Sequence, residues 1–231
     1  MKVNQAMIVR AALRLLDEIG LEDLTLRKLA AKLDIQAPTL YWYFKSKDAL
    51  IDEMATTTLV EATPDLVPAR ESDDWKVWAA TFGYGLRKNL LTYRDGGRMV
   101  AGTRLTSTMF QETTERIAAR LVQAGFSARQ AIVLLSSIYT FTVSFVIEEQ
   151  AVFPRPGQRS PLYDIEARSK LLDAKKFPLL RKAGPVLFDK FDQRYQESLE
   201  LMLGGAAALL EGPTKSPPKA KAQTARARKT R

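Results

Sequence analysis

The chain contains no cysteine and no histidine. The first absence excludes disulfides, thiolate metal sites and a cysteine nucleophile, and it accords with a reducing compartment. The second excludes a catalytic triad built on histidine and any imidazole-ligated metal. Strand-like alternation of apolar and polar residues is missing, and no internal repeat is found. The N-terminus lacks the basic region, apolar stretch and small-residue cleavage site of a signal peptide, so none is expected. Long apolar runs are scarce. One exists, AIVLLSSIYTFTVSFVI, 17 residues from Ala131 to Ile147, at the short edge of a membrane span. Five Ser or Thr positions dilute it, and Gln130 and Glu148-Glu149-Gln150 close it off. A core helix is expected there, not a membrane helix. Acids are absent after Glu211: the stretch GPTKSPPKAKAQTARARKTR carries seven cations and nothing to bury. It reads as a disordered basic tail over residues 212–231. It also accounts for seven of the net charge of +9, leaving +2 for residues 1–211. The high overall charge is therefore no argument that the folded part binds nucleic acid.

What remains is an ordinary globular composition. Of 231 residues, 46% are hydrophobic and 26% charged, enough for a sizeable core. The pattern is helical throughout. Asn4 caps a first helix whose Val9, Ala12, Leu13 and Leu16 recur at helical spacing, and Gly20 stops it. Thr25 caps a short second helix with Leu26, Leu29, Ala30 and Leu33 inside. Asp34 marks the turn, and Pro38 suits the first turn of a third helix. Ser46 caps a fourth helix to about Thr63. Further helices are expected from Asp73 or Asp74 to Leu91, from Ser107 to Ala124, from Ala128 to Val152, near 165–176, and from Pro185 onward, with a short segment at 94–100. Phe153 to Pro161 is too rich in Pro and Gly to be regular. The chain is read as all-α: a helix-turn-helix domain over 1–46, a connecting helix over 47–63, and a larger helical domain over 64–211.

The second and third helices are short, with about three residues between them, and small Ala30 sits where they must cross. That is the layout of a helix-turn-helix, whose second helix enters the major groove. Between Thr25 and Lys47 stand Arg27, Lys28, Lys32, Lys45 and Lys47 against Asp34 alone. By themselves these cations could equally form a solvated face. The residues Leu24 to Leu50, and TLYWYFKSKDAL above all, resemble the DNA-binding domain of the tetracycline repressor (TetR) family. The likeness continues through Trp75 to Gly102, notably Tyr93-Arg-Asp-Gly-Gly97 and Ala101-Gly-Thr-Arg104, and through Phe141 to Gln150. These stretches are similar to the regulatory core of the tetracycline-binding members. The resemblance spans roughly 5–210 and weakens between Phe153 and Pro185.

The resemblance implies a transcriptional repressor that binds a palindromic operator as a homodimer and is released by a small inducer, in the cytoplasm and on the nucleoid, with no membrane partner. It implies that Thr39, Tyr41, Tyr43 and Lys47 face the DNA backbone, that Pro38 touches a base apolarly, and that Arg27 reaches a guanine edge. Trp42 and Phe44 would pack the domain. Leu26 and Ala37 replace polar residues that help the tetracycline-binding members read their operator, so a different operator is expected. The same resemblance implies an inducer pocket and, through it, the helix pair at 128–152 and 185–204 as half of a four-helix bundle in the dimer. In the tetracycline-binding members a histidine ligates Mg²⁺; here that position is Val100. Positions that grip the drug correspond to Thr63, Phe82 and Arg116, while Thr103, Arg104 and Glu148 match. Oxygen ligands alone can hold Mg²⁺, yet with the direct protein ligand lost no cofactor and no metal site is expected. Phe82, Leu86, Val100, Leu105 and Phe110 point to an apolar pocket, or to plain core. Arg104 and Glu148, if buried, would pair with one another or with the ligand. The inducer is expected to be small and largely apolar. The alternative is an all-α enzyme or small-molecule carrier with a basic anchoring tail; no paired carboxylates, phosphate loop or metal cluster supports it.

Overall fold

A computed structural model describes residues 3–72 and 74–211. The basic tail and Asp73 lie outside the described residues. Eleven α-helices and no strand are found among them.

The first helix, α1 (Gln5–Ile19), begins at Asn4, whose side chain accepts from the Met7 amide at 2.8 Å. Gly20 ends it with φ +81°, a conformation costly to other residues. Thr25 caps α2 (Leu26–Lys32) in the same way, by accepting from the Lys28 amide. Asp34 takes φ +52° in the turn, and Pro38 sits in the first turn of α3 (Ala37–Tyr43). Leu24, Leu29, Ala30, Leu40 and Phe44 close a small buried centre between these helices and α1. Ser46 then caps α4 (Lys47–Ala62).

α4 belongs to both halves of the molecule. It packs against α1 in the small head, and against α5 (Trp75–Leu90), α6 (Gly96–Val100) and α7 (Met109–Gln123) in the body. A 3-10 turn over Thr63–Leu66 follows it and lies tight on α5. Gly85 is required at that crossing: a Cβ there would collide with the Asp65 carbonyl. The 25-residue α8 (Ala128–Val152) is capped by a reciprocal Ser127–Gln130 box. It is long and apolar enough to cross a membrane, but it runs through the body, packed on α5, α6, α7 and α11 (Phe191–Ala207).

Asp74, one of the two expected candidates, is the cap of α5, accepting from Lys76. Two boundaries differ from expectation. The segment near 165–176 yields only α9 (Ile165–Lys170). The final helix is broken in two: α10 (Gly184–Phe188) and α11 are separated at Asp189 and Lys190, the latter at φ +43°. Arg159 braces the break: its guanidinium donates to the Phe188 carbonyl and to Asp189 Oδ1, both at 2.7 Å.

Candidate DNA-reading and ligand sites

The head presents one open face. Pro38 is exposed and Thr39 half-buried at the start of α3. Tyr41 and Tyr43 are 47% and 37% exposed, and Trp42 is 83% exposed. Trp42 therefore does not pack the domain as expected; it stands on the outward face of α3, and Phe44 alone fills the centre. Arg27 projects from α2 as an exposed side chain. Leu26 is buried and Ala37 packs on the core, so neither offers a polar atom to DNA.

Much of the local positive charge is already partnered. Lys32 pairs with Glu18 at 2.6 Å and Lys28 with Asp23 at 3.2 Å. Lys47 donates to the Leu21 and Glu22 carbonyls at 2.8 and 3.4 Å. The Tyr43 hydroxyl donates to the Val3 carbonyl at 2.7 Å, so its donor anchors the N-terminal segment. Counting cations between Thr25 and Lys47 overstated the free charge, because Glu18 and Asp23 lie just upstream and fold back.

In the body, the anticipated pocket residues separate into two groups. Phe82, Leu86, Val100 and Phe110 are buried, and Leu105 is partly buried against the core. Arg104, Arg116 and Glu148 are exposed. Arg104 and Glu148 therefore do not need the burial pairing expected of them; the Arg104 amide donates instead to Asp52 at 2.9 Å. Thr63 and Thr103 turn their hydroxyls onto the carbonyls of Val60 and Val100, both at 2.8 Å. A cavity of about 210 Å³ opens between α5, α7 and α8. Phe82 and Phe110 are the two expected residues that line it, joined by Thr114, Glu115, Leu135 and Tyr139. The Phe82–Phe110 and Phe110–Tyr139 ring centroids lie 6.4 and 6.2 Å apart. Burial pushes the Tyr139 phenol above its ordinary pKa, which keeps it a neutral hydroxyl.

A second cluster was not anticipated. Arg87 on α5 is buried and forms a bidentate pair with Glu149 on α8, at 2.9 and 2.7 Å, and a third bond to Asp192 on α11 at 2.7 Å. Its guanidinium lies 5.1 Å from the Tyr195 ring centroid and 5.7 Å from that of Phe145. Burial opposes the charge, but Glu149 and Asp192 outweigh it and hold Arg87 above the ordinary arginine value. Arg194 stacks nearby on Phe145 and Phe191, and burial holds its pKa below the ordinary value.

Polar bonds join the body to the head through the segment around α6. The amide of Arg94 donates to Asp17, and Asp95 accepts from the Leu21 amide at 2.9 Å. Arg98 pairs with Glu22 at 2.9 Å. On the other side of α6, Gln150 of α8 accepts from the Gly97 amide and donates to the Tyr93 carbonyl.

The family model "Bacterial regulatory proteins, tetR family" matches residues 8–54, and "Tetracyclin repressor-like, C-terminal domain" matches residues 67–210. The chain belongs to the TetR family. Tetracycline repressor protein class A from transposon 1721 of Escherichia coli is 38% identical over 93% of this chain and 98% of its own. A crystal structure of a possible TetR family transcriptional regulator from Streptomyces coelicolor A3(2) superposes with a TM-score of 0.79 at 35% identity, covering 89% of this chain and all of that one. The Streptomyces coelicolor TetR family protein ActR, in complex with actinorhodin, gives 0.75 at 25% identity, covering 91% and 99%.

Some members of the TetR family take a metal with their ligand; a class A structure contains 5a,6-anhydrotetracycline and magnesium. The residues of this TetR-family chain do not fit a magnesium ion at the matching place. Val100 is 1% exposed and wholly apolar, and Glu148 is exposed to solvent. Among the described residues no three acids gather into a group able to hold a metal.

Proposed function

We propose that this TetR-family protein is a ligand-responsive repressor that binds a palindromic operator as a homodimer and is released by a small, largely apolar inducer without Mg²⁺. The observation that carries the reading is the placement of one helix, α4, between an open reading face and a body with an aromatic cavity. On the DNA side, Pro38, Tyr41 and Trp42 face outward from α3 with Arg27 beside them. On α8 and α11, Val133 and Leu201 are exposed, with Leu209 just beyond the end of α11, an apolar surface that a second copy would cover. Relatives named as repressors and transcriptional regulators support a role on the chromosome, and with it an association with the nucleoid. Repression follows from the two reading helices meeting successive major grooves. Induction follows when a ligand favours a different spacing of those helices and shifts the population.

The test is fluorescence anisotropy on a palindrome from DNA flanking the gene, against scrambled DNA at matched salt. Preference for the palindrome, at a stoichiometry of two chains per site, is expected. Equal affinity for both sequences would refute operator recognition. Release of the palindrome by a bound aromatic compound should be unchanged by EDTA; release abolished by EDTA would refute the metal-free reading.

A further inference from the structure

We infer that the cavity between α5, α7 and α8 selects a compact fused-ring amine, bound as its cation, over neutral or anionic molecules of the same shape. This rests on the ligand-responsive reading above and names the chemistry of the inducer. The cavity holds about 210 Å³, below the ~300–1,000 Å³ usual for drug-sized ligands, so the ligand is small. Phe82, Phe110 and Tyr139 put three aromatic rings around it. Ring faces are electrostatically negative and attract a cation placed over them. Glu115 is the one charged residue of the lining, and no Lys or Arg takes part in it.

Each polar group points the same way. The Glu115 carboxylate is exposed at the mouth and joins no salt bridge among the described residues. Arg116, its neighbour in sequence, does not line the cavity. Ser136 and Tyr139 bring hydroxyls that make no hydrogen bond among the described residues, leaving oxygen lone pairs for a ligand N–H. An ammonium group in the cavity is thus bordered by a carboxylate, aromatic rings and hydroxyl oxygens, with no cation to repel it. A carboxylate on the ligand would meet Glu115 and the same negative faces with no cation to receive it. The fused ring fills the apolar floor of Phe82, Phe110 and Leu135, which keeps such a molecule largely apolar.

The experiment uses full-length protein and three probes on one scaffold: 1-naphthylmethylamine, 1-naphthylmethanol and 1-naphthoate, titrated by calorimetry at neutral pH. The ammonium should bind about tenfold tighter than the alcohol, with the carboxylate weakest. Glu115→Gln, an exposed substitution, should erase the advantage of the ammonium over the alcohol. The inference is overturned if the alcohol or the carboxylate binds as tightly as the ammonium, if no probe binds, or if Glu115→Gln leaves the ammonium's advantage intact. Operator binding of the ligand-free protein is measured alongside. If it persists while the probe ranking fails, the ligand chemistry is wrong and the repressor reading stands; if it is absent, the repressor reading itself fails.

Discussion

Replacing Arg87 by alanine should destabilise the protein far more than replacing Arg87 and Glu149 together by apolar residues. Arg87 is 8% exposed and its partner's side chain 13%. Alanine at 87 leaves the Glu149 carboxylate inside the body without its cation. Breaking a buried pair from one side costs about 3–5 kcal/mol. Losing the guanidinium from the Tyr195 and Phe145 rings adds about 0.5–2 kcal/mol. The bond to Asp192 adds little, because that side chain is 94% exposed and exposed pairs contribute about 0–1 kcal/mol. Arg87→Met with Glu149→Leu removes both charges at similar volume, and such exchanges run from neutral to about 1–4 kcal/mol stabilising. The measurement is urea unfolding of the wild type, both single variants and the double variant, at one fixed chain concentration because a dimer's stability depends on it. The double-mutant cycle then gives the coupling energy directly. A loss below about 1 kcal/mol for Arg87→Ala would mean the pair behaves as a surface pair, and the reasoning from its burial would fail.

Four further outcomes are expected. Arg27→Ala should cost about 1–3 kcal/mol at one operator base position, while Lys47→Ala should weaken binding to every sequence and flatten its salt dependence; equal, sequence-independent losses would remove Arg27 from base readout. Leu201→Glu, at a position 78% exposed on α11, should yield monomers in sedimentation without lowering helix content, whereas Phe191→Glu should unfold the body, because Phe191 is buried against Phe145 and Phe153; a dimeric Leu201→Glu would relocate the interface. Burial pushes the Tyr195 phenol up to about 12 although Thr142 hydrogen-bonds it. The folded protein therefore keeps a proton that the unfolded chain releases near pH 10, and stability should fall by about 2–3 kcal/mol between pH 10 and 12; a Tyr195→Phe variant should show a shallower loss over that window in alkaline unfolding, and an identical slope would contradict it. Thr114→Phe should fill the cavity and abolish ligand release while operator binding persists; release that survives would place the ligand elsewhere.

The head was legible in the sequence almost residue by residue. Asn4, Thr25 and Ser46 announce helix starts because their side chains satisfy amides that no helix can satisfy for itself, and Gly20 and Asp34 mark the backbone reversals. The resemblance implied a packed Trp42; its outward position depends on which face of α3 meets α1 and α2, and the stretch from 37 to 43 is too short for periodicity to decide. In the body, apolar pattern located Phe82, Leu86, Val100 and Phe110 correctly as inward-facing. It gave no means of choosing which of them border empty space. Glu115 and Tyr139 escaped notice for that reason: their place at the cavity comes from how α7 packs on α8. Arg87, Glu149 and Asp192 were missed because partners 62 and 105 positions away leave no local trace. The break before α11 leaves no local trace either, since the Arg159 that braces it lies about 30 positions upstream.

The two junctions between head and body differ in kind. Along α4 the contact is mainly apolar, through buried residues such as Met54, Ala55 and Leu59, with Asp52, Glu53 and Thr56 bonded to the 104–106 segment at its margin. Around α6 it consists of Arg94, Asp95 and Arg98 bonded to Asp17, Leu21 and Glu22. Water replaces an exposed pair such as Arg98–Glu22 at little cost, but it cannot replace a buried apolar seam. The head is thus carried on α4, pivoting where that helix enters the body, and latched by the segment around α6. Because α4 is about 24 Å long at 1.5 Å per residue, opening the latch by roughly 5° swings its far end by about 2 Å. In a symmetric pair both heads swing, so the separation of the reading helices would change by about twice that while neither helix alters its own shape. Salt loosens exposed ion pairs such as Arg98–Glu22, so ionic strength would act on the latch as well as on the DNA contacts.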